Sequence, residues 1–280
     1  MGLDLITSSR DLTFMEPAAP LEALAPRIQA GIQIGQPVFH ERATWALGFF
    51  APGAGSVEYG IASQDYGAII GRLTWLAVDR LDPEHPAANR CLHLALSGIG
   101  QYSFSSNVRF RSRPECYLAP YVIDPGELHA NGAATFGCEA AWVNGPFTVQ
   151  GEILQSFVEQ AGGGTYQFGG FYAAAGWYLT GESRPYDRQA GCFKCLLPQR
   201  NFSFHKGSGW GAFELTARCS HTDLTDGDVQ GGRLDLFMAG LNWYLHPHVR
   251  WMFNGGVGRV AGGANDGRMA IFQTRIGVDF

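Results

Sequence analysis

Residues 268–280 read RMAIFQTRIGVDF. Taken with a period of two, Ala270, Phe272, Thr274, Ile276, Val278 and Phe280 fall on one side of this stretch. Met269, Ile271, Gln273, Arg275, Gly277 and Asp279 fall on the other. Successive residues of a strand project to opposite faces, so the stretch is a strand with one greasy face and one mostly polar face. By itself it fits the edge of a soluble sandwich as well as the wall of a membrane barrel.

The same pattern recurs through the chain. Ile28, Ala30, Ile32 and Ile34 oppose Gln29 and Gln33, and Trp45, Leu47 and Phe49 form the next apolar face. Leu73, Trp75 and Ala77 oppose Arg72 and Thr74; Leu92, Leu94 and Leu96 oppose His93 and Ser97. Further on come TFGCEAAW and FTVQGEILQSF, separated by the turn Asn144-Gly145-Pro146. Phe171, Ala173, Ala175, Trp177 and Leu179 share a face, as do Phe213, Leu215, Ala217 and Cys219. Phe237, Ala239, Leu241, Trp243 and Leu245 follow, then Val249, Trp251, Phe253 and Val257. About twelve segments result, most of them about ten residues long, the length that crosses a bilayer when tilted. No helical period is sustained.

Composition narrows the class. Of 280 residues only 16% are charged, 38 are glycine and 13% are aromatic, against a usual charged share near 25%. No apolar run reaches about 18 residues, so no helix spans a bilayer. A formal net charge of -5 and the lack of a basic run exclude a nucleic-acid binder. The connections read as alternating tight turns (Asn144-Gly145-Pro146, His246-Pro247-His248) and long loops (118–131, 180–208), which is the barrel pattern of short turns on one side. Trp142, Trp177, Tyr178, Trp243, Tyr244 and Trp251 sit near strand ends, as interfacial girdles do. These features predict an all-β, transmembrane antiparallel barrel.

One stretch breaks the low-charge rule: residues 107–115, NVRFRSRPE. Arg109, Arg111 and Arg113 stand at i, i+2 and i+4, so on a strand they project to one side, about 6.5 to 7 Å apart. Facing lipid, each would cost about 2 to 4 kcal/mol near the midplane. The expectation is therefore a row of guanidiniums along the lumen, joined by Arg72 and Arg275, which attracts phosphate or carboxylate through forked hydrogen bonds. The alternative is a solvated segment neutralised by acids such as Glu115. Glu139, Glu152 and Glu214 are further acids expected to share the lumen.

These residues reach a family. NVRFRSRPE, GGFYAAAGWYLTGESRPY, LLPQRNF, GLNWYLHPHVRWMFN and SSRDLTFME with ALGFF resemble the phosphate-selective porin O and P family. The matches run in family order from near residue 7 to the carboxyl end. The resemblance implies a 16-stranded trimeric outer-membrane barrel passing phosphate-type anions, embedded in outer-membrane lipid. The ending on Phe280 resembles the closing strand that barrel assembly machinery reads. Three departures go with it. Residues 1–27 read as a loop rich in Pro and Ala with no signal peptide, so 28–280 looks like the carboxyl-terminal part of a longer barrel, with about four strands preceding it. Only Lys194 and Lys206 are lysines, so the family's lysine cluster cannot be rebuilt here. Six cysteines are present, including the Cys192 and Cys195 of a CxxC.

Other functions find less support. The CxxC has no second pair at ligand spacing, so no metal and no cofactor is expected; a loop disulfide or free thiols fit it. Cys138 and Cys219 lie on apolar faces and read as small hydrophobes. No GxSxG, HExxH or Walker A motif occurs, so the chain does not read as an enzyme. A barrel-borne hydrolase built on Ser97 and His93, or a structural or adhesive barrel without selective transport, are the alternatives to a channel.

Overall fold

The computed structural model describes residues 2–26, 30–51, 66–82, 85–204 and 209–279. Ile28 and Gln29, assigned above to the first strand, lie outside the described residues, as do Lys206 and Phe280.

The strands are β1 (Gly31–Val38), β2 (Ala43–Phe50), β3 (Tyr66–Arg80), β4 (Arg90–Ser103), β5 (Asn107–Val108), β6 (Leu128–Asn144) and β7 (Phe147–Gln160). They continue with β8 (Thr165–Tyr178), β9 (Tyr186–Asp187), β10 (Cys192–Phe193), β11 (Ala212–Asp226), β12 (Val229–His246), β13 (Val249–Ala261) and β14 (Gly267–Val278). One antiparallel sheet runs β1-β2-β3-β4-β6-β7-β8-β11-β12-β13-β14, with β5 pairing β6 off this path and β9 pairing β10 separately. The sheet does not close. Among the described residues, β1 and β14 each pair with a single neighbour.

The two faces of this sheet invert the soluble rule. Large apolar side chains point out and are exposed: Phe49, Leu73, Trp75, Leu96, Phe136, Ile153, Phe171, Phe237 and Phe272 among them, with Phe272 at 76%. Polar side chains point in and are buried: His93, Thr135, Glu139, Gln150, Glu152, Glu214, Asn242 and Asn254. A soluble sandwich buries its apolar face, because that face gains about 25 cal/mol per Å² on leaving water. A continuous apolar exterior around an interior that buries many polar groups suits a sheet whose exterior meets lipid. Trp45, Phe213 and Phe253 share the outward registers, next to the exposed Leu47, Leu215 and Val257.

The interior is filled by the chain itself. Residues 2–26 carry two short helices, α1 (Leu3–Ile6) and α2 (Ala19–Leu24), rather than the expected loop. Pro20 pre-sets the first turn of α2, and helices of one or two turns leave no readable period. Leu21 and Leu24 are fully buried in a cluster with Phe110, Ile123, Leu154 and Phe168. α2 packs on β7, β8 and β11. Gly170 permits this approach, since a Cβ there would stand 2.6 Å from that of Pro20. Asp4, Thr13, Leu12 and Met15 meet side chains from β7, β12, β13 and β14 in turn. One short segment touching strands so far apart in the order requires a strongly curved wall.

Three other expectations change. The wall strands from β3 on are longer than ten residues, reaching 17 in β6 and 18 in β12, because hydrogen-bonded hairpins stay regular beyond a bilayer. Long and short connections do not segregate. The 179–211 connection lies at the same end as the turns after β6 and β12, since alternate connections of an antiparallel meander share an end. That connection folds back inward on its β9–β10 hairpin, with Phe193 buried. Finally, Tyr178 and Tyr244 are buried inside rather than in the girdle, because a neighbour of an outward Trp177 or Trp243 must point inward. The tryptophans do form the band: Phe213 stacks on Trp243 at 5.4 Å and Trp243 on Trp251 at 6.3 Å, and Trp243 Nε1 donates to the Trp210 carbonyl at 2.7 Å.

Candidate functional site

The arginine row sits on a hairpin that leaves the wall and enters the interior. After β4 the chain pairs briefly with β6 (Asn107 with His129, Val108 with Leu128) and then departs. The arm 109–113 runs antiparallel to 121–124 through the Ser112–Ile123 bridge. Pro114, Pro120 and Pro125 bracket the turn and the return arm, where a missing N–H and a fixed φ interrupt regular pairing. Asp124 N donates to the Gly231 carbonyl at 2.8 Å, tying the return arm to β12.

Alternation survives on this irregular arm. Val108, Phe110 and Ser112 are buried, whereas Arg109, Arg111 and Arg113 are partly exposed on the opposite side. Phe110 packs edge-on against Phe168 with centroids 5.5 Å apart. Ser112 Oγ donates to the Ala19 carbonyl at 3.0 Å and to Glu22 Oε2 at 3.2 Å. The apolar side of the hairpin is thus glued to α2; the Arg109 and Arg111 guanidiniums face away from it, whereas that of Arg113 reaches back to Glu22 of α2.

The three arginines have different partners. Arg109 Nε donates to Asp124 Oδ1 at 3.0 Å, in an ion pair whose side chains are 34% and 23% exposed. Arg113 donates from its backbone N at 2.8 Å and from a guanidinium nitrogen at 2.9 Å to Glu22. Burial lifts the Glu22 carboxyl above its ordinary range, against the pull of Arg113 and Ser112. Arg111 has no carboxylate partner among the described residues. Its guanidinium carbon lies 3.9 Å from the Tyr121 ring centroid, and its buried Nε finds no acceptor. Glu115, which the alternative of a solvated, neutralised segment would place beside the row, is instead buried beneath Arg218. Its Oε1 accepts from Ser220 Oγ at 2.7 Å and its Oε2 from Arg218 Nε at 2.9 Å.

Arg72 and Arg275 also point inward, but their donors are engaged in holding structure. Arg72 forms a forked pair with Glu139 at 2.7 and 2.9 Å and donates to the Gly191 carbonyl at 3.1 Å. Arg275 donates to the carbonyls of Met15 at 3.0 Å and Ser9 at 3.4 Å. Arg218, unmarked in the sequence, is the central tie. It pairs with Glu115 and, at 3.4 Å, with Asp4, donates to the Glu16 carbonyl at 3.0 Å, and lies 4.2 Å from the Phe14 ring centroid. Glu152 accepts from Tyr172 Oη at 2.7 Å and Glu214 from Tyr244 Oη at 2.8 Å, so these lumen acids are engaged too.

The hydrolase arrangement is not assembled. His93 Nδ1 meets Tyr186 Oη at 2.7 Å, and Ser97 Oγ donates to the Gly137 carbonyl at 3.4 Å. Four residues apart on one strand, the two are separated by about 13 Å. Cys192 and Cys195 are free thiols; Cys192 borders one cavity and Cys195 another. Cys138 and Cys219 lie on the exposed outer face. Tyr121, Asp124, Glu22 and Arg218 carry no local signal. Their partners lie 8 to 214 positions away along the chain.

The chain matches the family model described as phosphate-selective porin O and P over residues 1–259. An uncharacterized protein of Caulobacter vibrioides is 30% identical over 182 residues, covering 62% of this chain and 36% of that protein. Porin O of Pseudomonas aeruginosa is 27% identical over 129 residues, covering 42% of this chain and 28% of that protein. The matches thus span about a third of the length of these relatives.

Proposed function

We propose that this chain, which belongs to the phosphate-selective porin O and P family, forms part of the wall and filter of a bacterial outer-membrane channel for small phosphate-like anions. The observation that carries this reading is the hairpin 107–127, which buries Phe110 and Ser112 and leaves the Arg109 and Arg111 guanidiniums on its free side, with Arg113 held between Tyr121 and Glu22. Forked guanidinium donors match phosphate oxygens, and Arg111, whose charge no carboxylate offsets among the described residues, is the primary contact for the anion. A homotrimer in outer-membrane lipid, delivered by the barrel assembly machinery through its last strand, fits the family.

The first test is electrical. In planar bilayers under a salt gradient, the reversal potential should report anion preference, and added phosphate should block chloride current at low concentration. A structural barrel is the second reading, favoured by the filling of the interior by residues 2–26 and the β9–β10 hairpin. Bilayers that incorporate the folded protein without conductance would decide for it.

Acid should strengthen the preference, and the sign follows from Glu22. Its raised pKa means that on acidification it takes up a proton before an ordinary glutamate does. Arg113 then loses its counter-charge, the local positive charge grows by one, and the chloride-to-potassium permeability ratio rises. Glu22→Gln should hold that ratio near its acid value and flatten this step of the profile. The same pH profile in variant and parent would show that Glu22 does not titrate against the pore.

A further inference from the structure

We infer that Tyr121 is a positioning residue of the anion filter, a clamp that holds Arg111 and Arg113 as a parallel pair by stacking one on each face of its ring. This rests on the channel reading given above. Each guanidinium carbon lies 3.9 Å from the Tyr121 centroid. One face of a phenol ring has room for a single guanidinium at that height, so the two occupy opposite faces. Residues i and i+2 of an extended arm stand about 7 Å apart, close to the sum of the two contacts, so the ring fits between them without distorting the backbone. The Ser112–Ile123 bridge supplies the ring from the return arm at the matching height.

Two like charges this close repel, and a flexible side chain would relieve the repulsion by swinging apart. The negative faces of the ring offset that repulsion and fix both planes. Stacking engages the π face of a guanidinium, while its N–H donors lie in the plane and stay directed outward. The salt bridge on Arg113 and the buried, acceptor-free Nε of Arg111 make the clamped pair unequal. The ring therefore presents one charge-balanced and one unbalanced fork at fixed spacing. An anion with several oxygens, such as phosphate, takes two in-plane donors of the unbalanced Arg111 fork at once and is attracted by the neighbouring charge of Arg113. Chloride, a single spherical acceptor, gains little from the alignment. The clamp thus accounts for discrimination between anions rather than for the attraction of anions in general.

The test separates those two quantities. Inorganic phosphate is titrated against chloride current in planar bilayers for the parent protein, Tyr121→Leu, Tyr121→Phe and Arg111→Lys. Tyr121→Leu should raise the half-blocking phosphate concentration about 5- to 10-fold and leave the chloride-to-potassium reversal potential nearly in place. Tyr121→Phe, which keeps the ring, should restore the parent value to within about twofold. Arg111→Lys keeps the charge and the fold but not the planar stack, and should give a rise similar to that of Tyr121→Leu. It stands in for that variant should the latter fail to show the heat-modifiable mobility of a folded barrel. Parent-like phosphate block in both Tyr121→Leu and Arg111→Lys, in a channel that phosphate does block, would overturn the clamp and leave the channel reading standing. A parent protein that conducts but shows no phosphate block would overturn the filter, and the clamp with it.

Discussion

Channels carrying alanine at Arg109, Arg111 and Arg113 together should change from anion to cation preference. With Asp124 and Glu22 ionised, the hairpin region carries three positive and two negative charges, a local net of +1. The triple substitution leaves the two carboxylates alone, a local net of -2, so the field changes sign rather than fading. In a constricted, partly dry lumen such a change acts more strongly than on an open surface, because screening by water and salt is incomplete. Reversal potentials in a salt gradient should shift toward the potassium potential, and phosphate should no longer block chloride current at about tenfold its parent concentration. Arg109→Ala alone should have a smaller effect, since Asp124 already offsets that charge. An unchanged reversal potential in the triple variant would show that another group sets the filter.

Arg218→Ala should release the inner segment. The side chain is 2% exposed and holds Glu115, Asp4 and the Glu16 carbonyl at once. Removing one partner from a buried ionic cluster leaves uncompensated carboxylates, a cost of about 3–5 kcal/mol. The apolar contacts of Leu21, Leu24 and Phe14 oppose release, but the carboxylates regain water only if residues 2–26 move away from the wall. Trypsin cleavage after Arg10, which needs local unfolding of the flanking backbone, should accelerate by about 100-fold or more. Single-channel conductance should rise in the same variant, because the lumen is cleared. Parent rates of digestion and parent conductance would show that apolar packing alone seats the segment.

The wall was legible in the chain because its grammar is local. A residue's face in a strand depends on parity alone, so reading Phe272 against Gln273, or Leu94 against His93, assigns outside and inside without any knowledge of partners. The turn at Asn144-Gly145-Pro146 marks itself for the same reason. The arginine row was equally local: positions 109, 111 and 113 share a side on any extended arm, and the hairpin keeps that parity although it leaves the sheet. The inner contents obey no such rule. Residues 2–26 read as loop because helices of four and six residues are shorter than any period, and they are held by Arg218, Asn242 and Arg275 from 202 to 260 positions away. Nor does parity tell which guanidinium is offset. That Arg109 meets Asp124, Arg113 meets Glu22, and Arg111 meets the face of Tyr121 and no carboxylate among the described residues depends on how the hairpin folds back over α2. Which side of each strand is apolar and which bears charge is thus readable from spacing along one chain. Which charges are offset emerges on folding alone, because neutralisation requires two side chains within about 4 Å, and no spacing along the chain sets that distance.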